Sequence, residues 1–362
     1  MGTSIMQKSI EVEYWVIDEN GKLTAPGSLV NTSSNVEEEF VDCLFELKTP
    51  PCKTIGELRH TFVEQLDRTI EEAATLGKRL VPLGTPINNG TIELLNDERT
   101  TIQQAVLGTN LDYAKSCAGT HIHFEQRNVV DQLNTLIALD PALALCNSSP
   151  YFQGKHIASS ARAYLYRKRC YEHFAEHGQL WEYVDTVAEW DRKLEVCYEH
   201  FKDFASRQGV QSNQFERCFS PDTVVWTPVR LRDAMPTVEW RSPDATLPSQ
   251  ILRLAELIDS IMELIHNRRV SIGGDRFTIT PTSVVLPDFD RLWNLSKAAM
   301  LAGLESEEVA SYLRGLGADL DQFGPLTAEF DKDYVSRSEA RSLRVKYADR
   351  LESDIDELVQ IA

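Results

Sequence analysis

Glu11 and Glu13 flank a single valine inside the run 9–17, and that spacing is the first sign of chemistry in the chain. As a strand, the run sets Ile10, Val12, Tyr14 and Val16 on one side and the two acids on the other, roughly 6.6 Å apart. Like charges on a buried strand need a counter-ion, and a divalent metal is the usual one. Left in water, the same acids make an ordinary amphipathic edge. Three more segments repeat the arrangement. Glu46 stands between Phe45 and Leu47, seven residues after Glu39, and needs a cation: a metal, Lys48 or a nearby arginine. His121 and His123 flank Ile122 and present two imidazoles to one point, either as ligands or as satisfied core histidines. Mg²⁺ seldom takes imidazole, so one histidine can serve a metal and the other a substrate or phosphate. Glu239 and Arg241 share a face opposite Val238 and Trp240. They are a structural ion pair, or they divide the work, carboxylate on metal and guanidinium on phosphate oxygens.

Strands with polar groups at alternate positions imply an α+β fold: a curved antiparallel sheet with helices on its apolar outer face and a polar, concave inner face. Such a face suits a polyphosphate and more than one Mg²⁺, because each ion takes only one or two carboxylates. Helices are expected over 56–77, 97–108, 129–146 with a kink at Pro141, 164–207, 248–267, 291–315 and 336–359. A short strand is expected at 80–83, and 41–47 reads as a strand or a short helix-to-strand passage. The polar loop 147–154 follows a buried helix, a common place for binding groups. Arg162 beyond it is a further cation or a surface helix residue. No repeat or linker stands out, so the expectation is one catalytic domain over 1–362, with a core of about 5–290 and a helical portion of about 291–362.

The chain has 362 residues and a net charge of −18, from 55 acids against 37 bases, of which 13 are lysines. That surface argues against nucleic acid and anionic membrane as partners. Acid excess with scarce lysine suits the high-salt cytoplasm of a salt-loving archaeon, or an ordinary acidic bacterial enzyme. No run reaches the ~18 apolar residues of a membrane span, so a cytoplasmic protein is expected. The seven cysteines include no Cys-x-x-Cys pair and read as reduced core thiols. Gly-x-Gly-x-x-Gly, Walker-type and Gly-x-Ser-x-Gly motifs are missing, so any ATP must be held by metal and arginine.

Taken in order, Ile10-Glu11-Val12-Glu13, Phe45 to Pro50, Gly119 to His123, Asn147 to Gly154 and Val238 to Arg241 resemble the glutamate–cysteine ligase type 2 family. These carboxylate–amine ligases are related by fold to glutamine synthetase and the guanidino kinases. Where many members carry a Glu-Glu-Glu run, this chain has Glu-Val-Glu. The resemblance implies a funnel-shaped sheet holding ATP and two or three Mg²⁺, with glutamate activated as an acyl phosphate and then attacked by the amine of cysteine. It implies Glu11, Glu13, Glu46 and Glu239 as magnesium ligands, with Glu39 joining them in some members. His121 then lies at the metal or phosphates, with His123 beside the nucleotide. Arg241 offsets charge on the transferring phosphoryl, next to Glu239. Arg162 and the loop residues Asn147, Ser149 and Tyr151 become candidates for the amino-acid carboxylates. Some members use another amine acceptor, and a homo-oligomer fits the family. A phosphotransferase and a non-catalytic nucleotide-binding relative are the competing readings.

Overall fold

Alternation of acid and apolar residues does produce the first strand, and the computed structural model describes the chain over residues 6–361. Its strands are β1 (Lys8–Asp18), β2 (Val36–Glu38), β3 (Leu44–Lys48), β4 (Lys78–Val81), β5 (Thr120–Glu125), β6 (Tyr151–Phe152), β7 (Lys155–His156), β8 (Val229–Arg232), β9 (Thr237–Trp240), β10 (Arg269–Gly274), β11 (Thr278–Ile279) and β12 (Ser283–Pro287). Its helices are α1 (Ile55–Thr75), α2 (Glu98–Leu107), α3 (Leu111–Ala114), α4 (Val129–Ala138), α5 (Ala161–Leu165), α6 (Val187–Arg207), α7 (Ser212–Cys218), α8 (Pro221–Val224), α9 (Pro248–His266), α10 (Phe289–Ala302), α11 (Glu307–Gly315) and α12 (Arg337–Ile361).

The main sheet is antiparallel and open, in the order β2-β3-β1-β5-β9-β8. β1 pairs with β3 along one edge; along the other it pairs with β5 over Lys8–Val12 and with β4 over Trp15–Asp18. Ile10, Val12, Tyr14 and Val16 are wholly buried, as the period of two requires. Each such side chain contributes about 1.5–3 kcal/mol, so Val12→Asp would break this layer. α1 and α4 pack against the sheet, α1 on β1 and α4 on β8 and β9, and α12 packs on β4, α1 and α9.

Local chemistry sets the helix ends. Thr54 caps α1 by accepting from the Glu57 amide, and Gly77 beyond its end takes φ +64, where a side chain would be strained. Pro141 lacks an N–H, so α4 gives way to a 3-10 segment over Asp140–Cys146, bent from it by 53°. Among the described residues, no single helix is long and apolar enough to cross a membrane. Arg344 of α12, buried, donates to the carbonyls of Gly21, Pro86 and Asn88 at 2.7–2.9 Å.

Some expectations change. The helix expected over 164–207 is broken: a π-turn at Tyr166–Cys170 ends α5, and α6 starts only at Val187. Gly178, at φ +76, turns the chain back so closely that a Cβ there would sit 2.4 Å from the Tyr166 carbonyl oxygen. The strand expected from Val41 begins at Leu44, because Val41 and Asp42 instead bond to Leu94 and Glu93. β4 lies at Lys78–Val81 rather than 80–83. β8 and the small β10-β12-β11 sheet, with its parallel β10–β12 pair, go beyond the sequence reading.

Candidate active site

Register explains why the predicted residues meet. Across β2, β3 and β1 one row runs Glu37, Glu46, Glu13. A second, across β3, β1 and β5, runs Lys48, Glu11, His121. A third, across β1, β5, β9 and β8, runs Ser9, His123, Glu239, Arg230. All three lie on the face opposite the apolar layer, so strand alternation turns scattered acids into a patch.

Within the patch, His121 Nδ1 lies 3.4 Å from Glu11 Oε2 and 3.4 Å from Glu239 Oε1. His123 Nε2 lies 3.2 Å from Glu11 Oε2, and its Nδ1 is 3.2 Å from the Thr237 hydroxyl. The Gly119 amide donates to Glu13 at 2.6 Å. Three overlapping groups have ligand atoms within 4.8 Å of one another: Glu11, His123 and Glu239; Glu11, Glu46 and His121; Glu13, Glu39 and Glu46. Glu11 links the first two and Glu46 the last two.

The carboxyls divide by neighbour. Burial opposes ionisation of Glu11, yet the hydrogen bonds and charge of His121 and His123 hold it well below the usual carboxylate range. Burial likewise opposes Glu239, and Arg230, His123 and Arg241 outweigh it. Glu46 goes the other way: burial, then Glu39 and Glu11, push it well above the usual range. Burial and the charge of Glu13 raise Glu39 to about 8. A divalent ion at this end would favour both ionised forms.

The β8 and β9 side of the patch is cationic. Arg230 Nε donates to Glu239 Oε2 at 2.6 Å, Arg232 stands 3.5 Å from Glu11, and Arg241 Nε is 3.1 Å from Glu239 Oε1. The Arg241 guanidinium lies 5.4 Å over the Trp226 ring, which stacks on Tyr166 with centroids 4.1 Å apart and planes at 2°. At the patch is a cavity of about 270 Å³, also lined by Lys48, Arg99 and Tyr171. A larger one, about 1200 Å³, lies elsewhere, lined by residues such as Arg276, Arg291 and Ser311, and takes none of the sequence-predicted site residues.

Glu11, Glu13, Glu39, Glu46, His121, His123, Glu239 and Arg241 are thus brought together. Arg162, Asn147, Ser149 and Tyr151 are not. Arg162 is buried with Nη1 donating to the carbonyls of Arg241, Ser242 and Pro243 at 3.0–3.2 Å. The Asn147 amide donates to the Ala299 carbonyl, the Ser149 hydroxyl meets Thr85, and the Tyr151 hydroxyl donates to the Lys332 carbonyl. These four stitch segments together; their types suit binding, but each spends a donor or hydroxyl on an internal partner, while Asn147 Oδ1 and Arg162 Nε stay unpaired. Sequence reasoning missed Arg230 and Arg232, although Val229-Arg230-Leu231-Arg232 alternates as a strand should. Tyr166 and Trp226 carried no local signal.

The donor set fits divalent cations. His121 Nε2 and Glu239 Oε1 are buried without a hydrogen-bond partner, beside several carboxylate oxygens, and bound ions would satisfy such atoms.

The chain is similar to several known proteins. A Rhodococcus jostii (strain RHA1) protein named "Putative glutamate--cysteine ligase 2-1" is 28% identical over 162 residues, 41% of this chain and 43% of the relative. This chain therefore spans under half of that relative's length in the match. The bifunctional glutathione synthetase of Pasteurella multocida superposes with a TM-score of 0.57 at 14% identity, over 97% of this chain and 53% of that one, a likeness of fold. The Francisella tularensis glutamate–cysteine ligase, solved with AMP, gives a TM-score of 0.48 at 12% identity, over 99% and 95% of the two chains. The sequence model of glutamate-cysteine ligase family 2 matches residues 9–321, a stretch that holds all the strands of the funnel except the first residue of β1. With that match over most of its length, the chain belongs to glutamate-cysteine ligase family 2.

Proposed function

We propose that this chain is an ATP- and Mg²⁺-dependent carboxylate–amine ligase that joins the γ-carboxylate of L-glutamate to the amine of L-cysteine, giving γ-glutamylcysteine, ADP and phosphate. The observation that carries the reading is the gathering of three overlapping carboxylate and histidine groups with Arg230, Arg232 and Arg241 around one small cavity. Family membership supports the reaction class.

Glu11, Glu13, Glu39, Glu46 and Glu239 would hold two or three Mg²⁺, with His121 and His123 beside them. Bound there, the ions would neutralise and align the nucleotide phosphates. Arg241 would offset charge on the phosphoryl passing from ATP to the glutamate carboxylate, and its guanidinium is held over the Trp226 ring, 5.4 Å from the centroid. The cysteine amine then displaces phosphate from the acyl phosphate, so no protein nucleophile is needed. Arg232, at the mouth of the cationic wall, is the natural contact for an amino-acid carboxylate.

The test is phosphate release from ATP and Mg²⁺ at high KCl. Release that requires both glutamate and cysteine supports the ligase. Release with a different amine moves the acceptor and keeps the chemistry. A phosphorylated product without free phosphate means a phosphotransferase, and this proposal fails.

A further inference from the structure

Lys48 is the cation that β3 itself contributes to the acidic wall. Its ammonium lies 2.8 Å from Glu46 Oε2 and 3.9 Å from Glu11 Oε1, and it donates to Glu37 Oε2 at 2.8 Å. Register puts it there, because Lys48 sits directly opposite Glu11 and one pleat along from Glu46. Glu46 and Glu11 are the two carboxylates that link neighbouring ligand groups. One ammonium thus leans on both joints of the patch.

Two positive species cannot share those oxygens at close range without strong repulsion. Lys48 also has somewhere to go. Its side chain is 28% exposed, and Glu37 at the rim is 58% exposed, so a flexible four-carbon stem can swing outward and keep one partner. Arg230 differs: it is the partner of Glu239, at the far end of the patch from Glu46.

We propose that Lys48 is a built-in counter-ion that balances the acidic wall in the ion-free chain and is displaced toward Glu37 when divalent ions load, so that this lysine weakens and tunes the metal affinity of the site. The proposal rests on the metal-binding reading above. It makes Lys48 a determinant of the ion concentration at which the site fills, rather than a participant in phosphoryl transfer.

The experiment is a Mn²⁺ titration of the full chain without nucleotide, followed by the EPR signal of the free ion, for wild type, Lys48→Met and Lys48→Arg. Lys48→Met should bind Mn²⁺ about tenfold more tightly or better, and Lys48→Arg should stay near wild type. Melting adds an independent readout. With EDTA, Lys48→Met should melt below wild type, since its carboxylates lack their cation; Mg²⁺ should raise its Tm by more than it raises that of wild type. Equal or weaker Mn²⁺ binding by Lys48→Met, with wild type binding, overturns the role of Lys48 and leaves the metal site standing. A low Tm that Mg²⁺ does not recover overturns it as well. Absence of Mn²⁺ binding by all three proteins overturns both the proposal and the metal reading beneath it.

Discussion

Glu11 and His121 occupy directly opposed positions on β1 and β5, with the His121 Nδ1 3.4 Å from a Glu11 oxygen. This contact is the centre of the patch. Glu11 reaches His123 on one side, and Lys48 stands opposite it on the other. Glu11→Gln keeps the shape and removes the charge shared by two ligand groups. We expect phosphate release to fall by about 100-fold or more with the fold retained. Steady-state rates and circular dichroism check this, and a variant within a few-fold of wild type would displace Glu11 from the site.

Arg241→Ala removes the guanidinium over Trp226 and leaves Glu239 with Arg230 as its remaining arginine partner. The expected loss in kcat is about 10³-fold, with a much smaller change in the KM for ATP. A change confined to KM would make Arg241 a binding residue.

Arg162 is a structural clamp, and Gly119 makes room for it. A Cβ on Gly119 would fall 2.0 Å from Arg162 Nη2. Arg162→Met leaves the carbonyls of Arg241 and Ser242 without a donor, while Pro243 keeps the Thr120 amide, and should cost about 2–4 kcal/mol. Gly119→Ala should destabilise by a similar amount through overpacking. Urea denaturation measures both. If either change leaves stability untouched, the clamp is unimportant.

Asp140 and Arg167 form a buried bidentate pair, which Ser242 and Ser296 join. Asp140→Asn strands a buried guanidinium and should cost about 3–5 kcal/mol. The Tm drop should exceed that of an exposed pair such as Arg207→Ala, whose partner Asp203 lies in water.

His177 lies among Tyr171, Phe174 and Phe201, and burial lowers its pKa from 6.5 to about 4. The unfolded chain therefore binds this proton more readily than the folded one between those values. Its stabilising effect is complete above about pH 6.5 and is lost as pH falls toward about 4, by about 3 kcal/mol. His177→Phe should flatten the pH dependence of urea unfolding over that window. An unchanged slope would refute it.

Much of this was legible in the residues, and the reasons differ by element. Glu11, Glu13, His121 and His123 were readable because a period of two assigns faces without knowledge of neighbours. Glu46 and Glu239 stood out as acids inside apolar segments. What local pattern could not supply was pairing: that Arg230 lies beside Glu239 depends on β8 folding back on β9. The same limit hid the internal partners of the 147–154 loop and Arg162. Polar side chains after a buried helix look available, yet these close hydrogen bonds with partners 64 to 181 residues away. The break after Tyr166 was hidden because it answers to a tertiary contact at Gly178, not to a helix-stopping residue.

The packing of α12 has a practical consequence for anyone who cuts this chain. The family match stops at residue 321, and α12 begins at Arg337. Ala340, Tyr347, Ala348, Leu351, Ile355 and Leu358 are nevertheless buried along it, and Arg344 reaches back to the 86–88 loop. A recombinant fragment trimmed to the matched stretch would bare the outer sides of α1 and β4 and release three carbonyls from their donor. Such a fragment should accumulate as insoluble material, and supplying α12 as a separate peptide during refolding should recover it. The last helix behaves as a fastening for the earliest part of the chain.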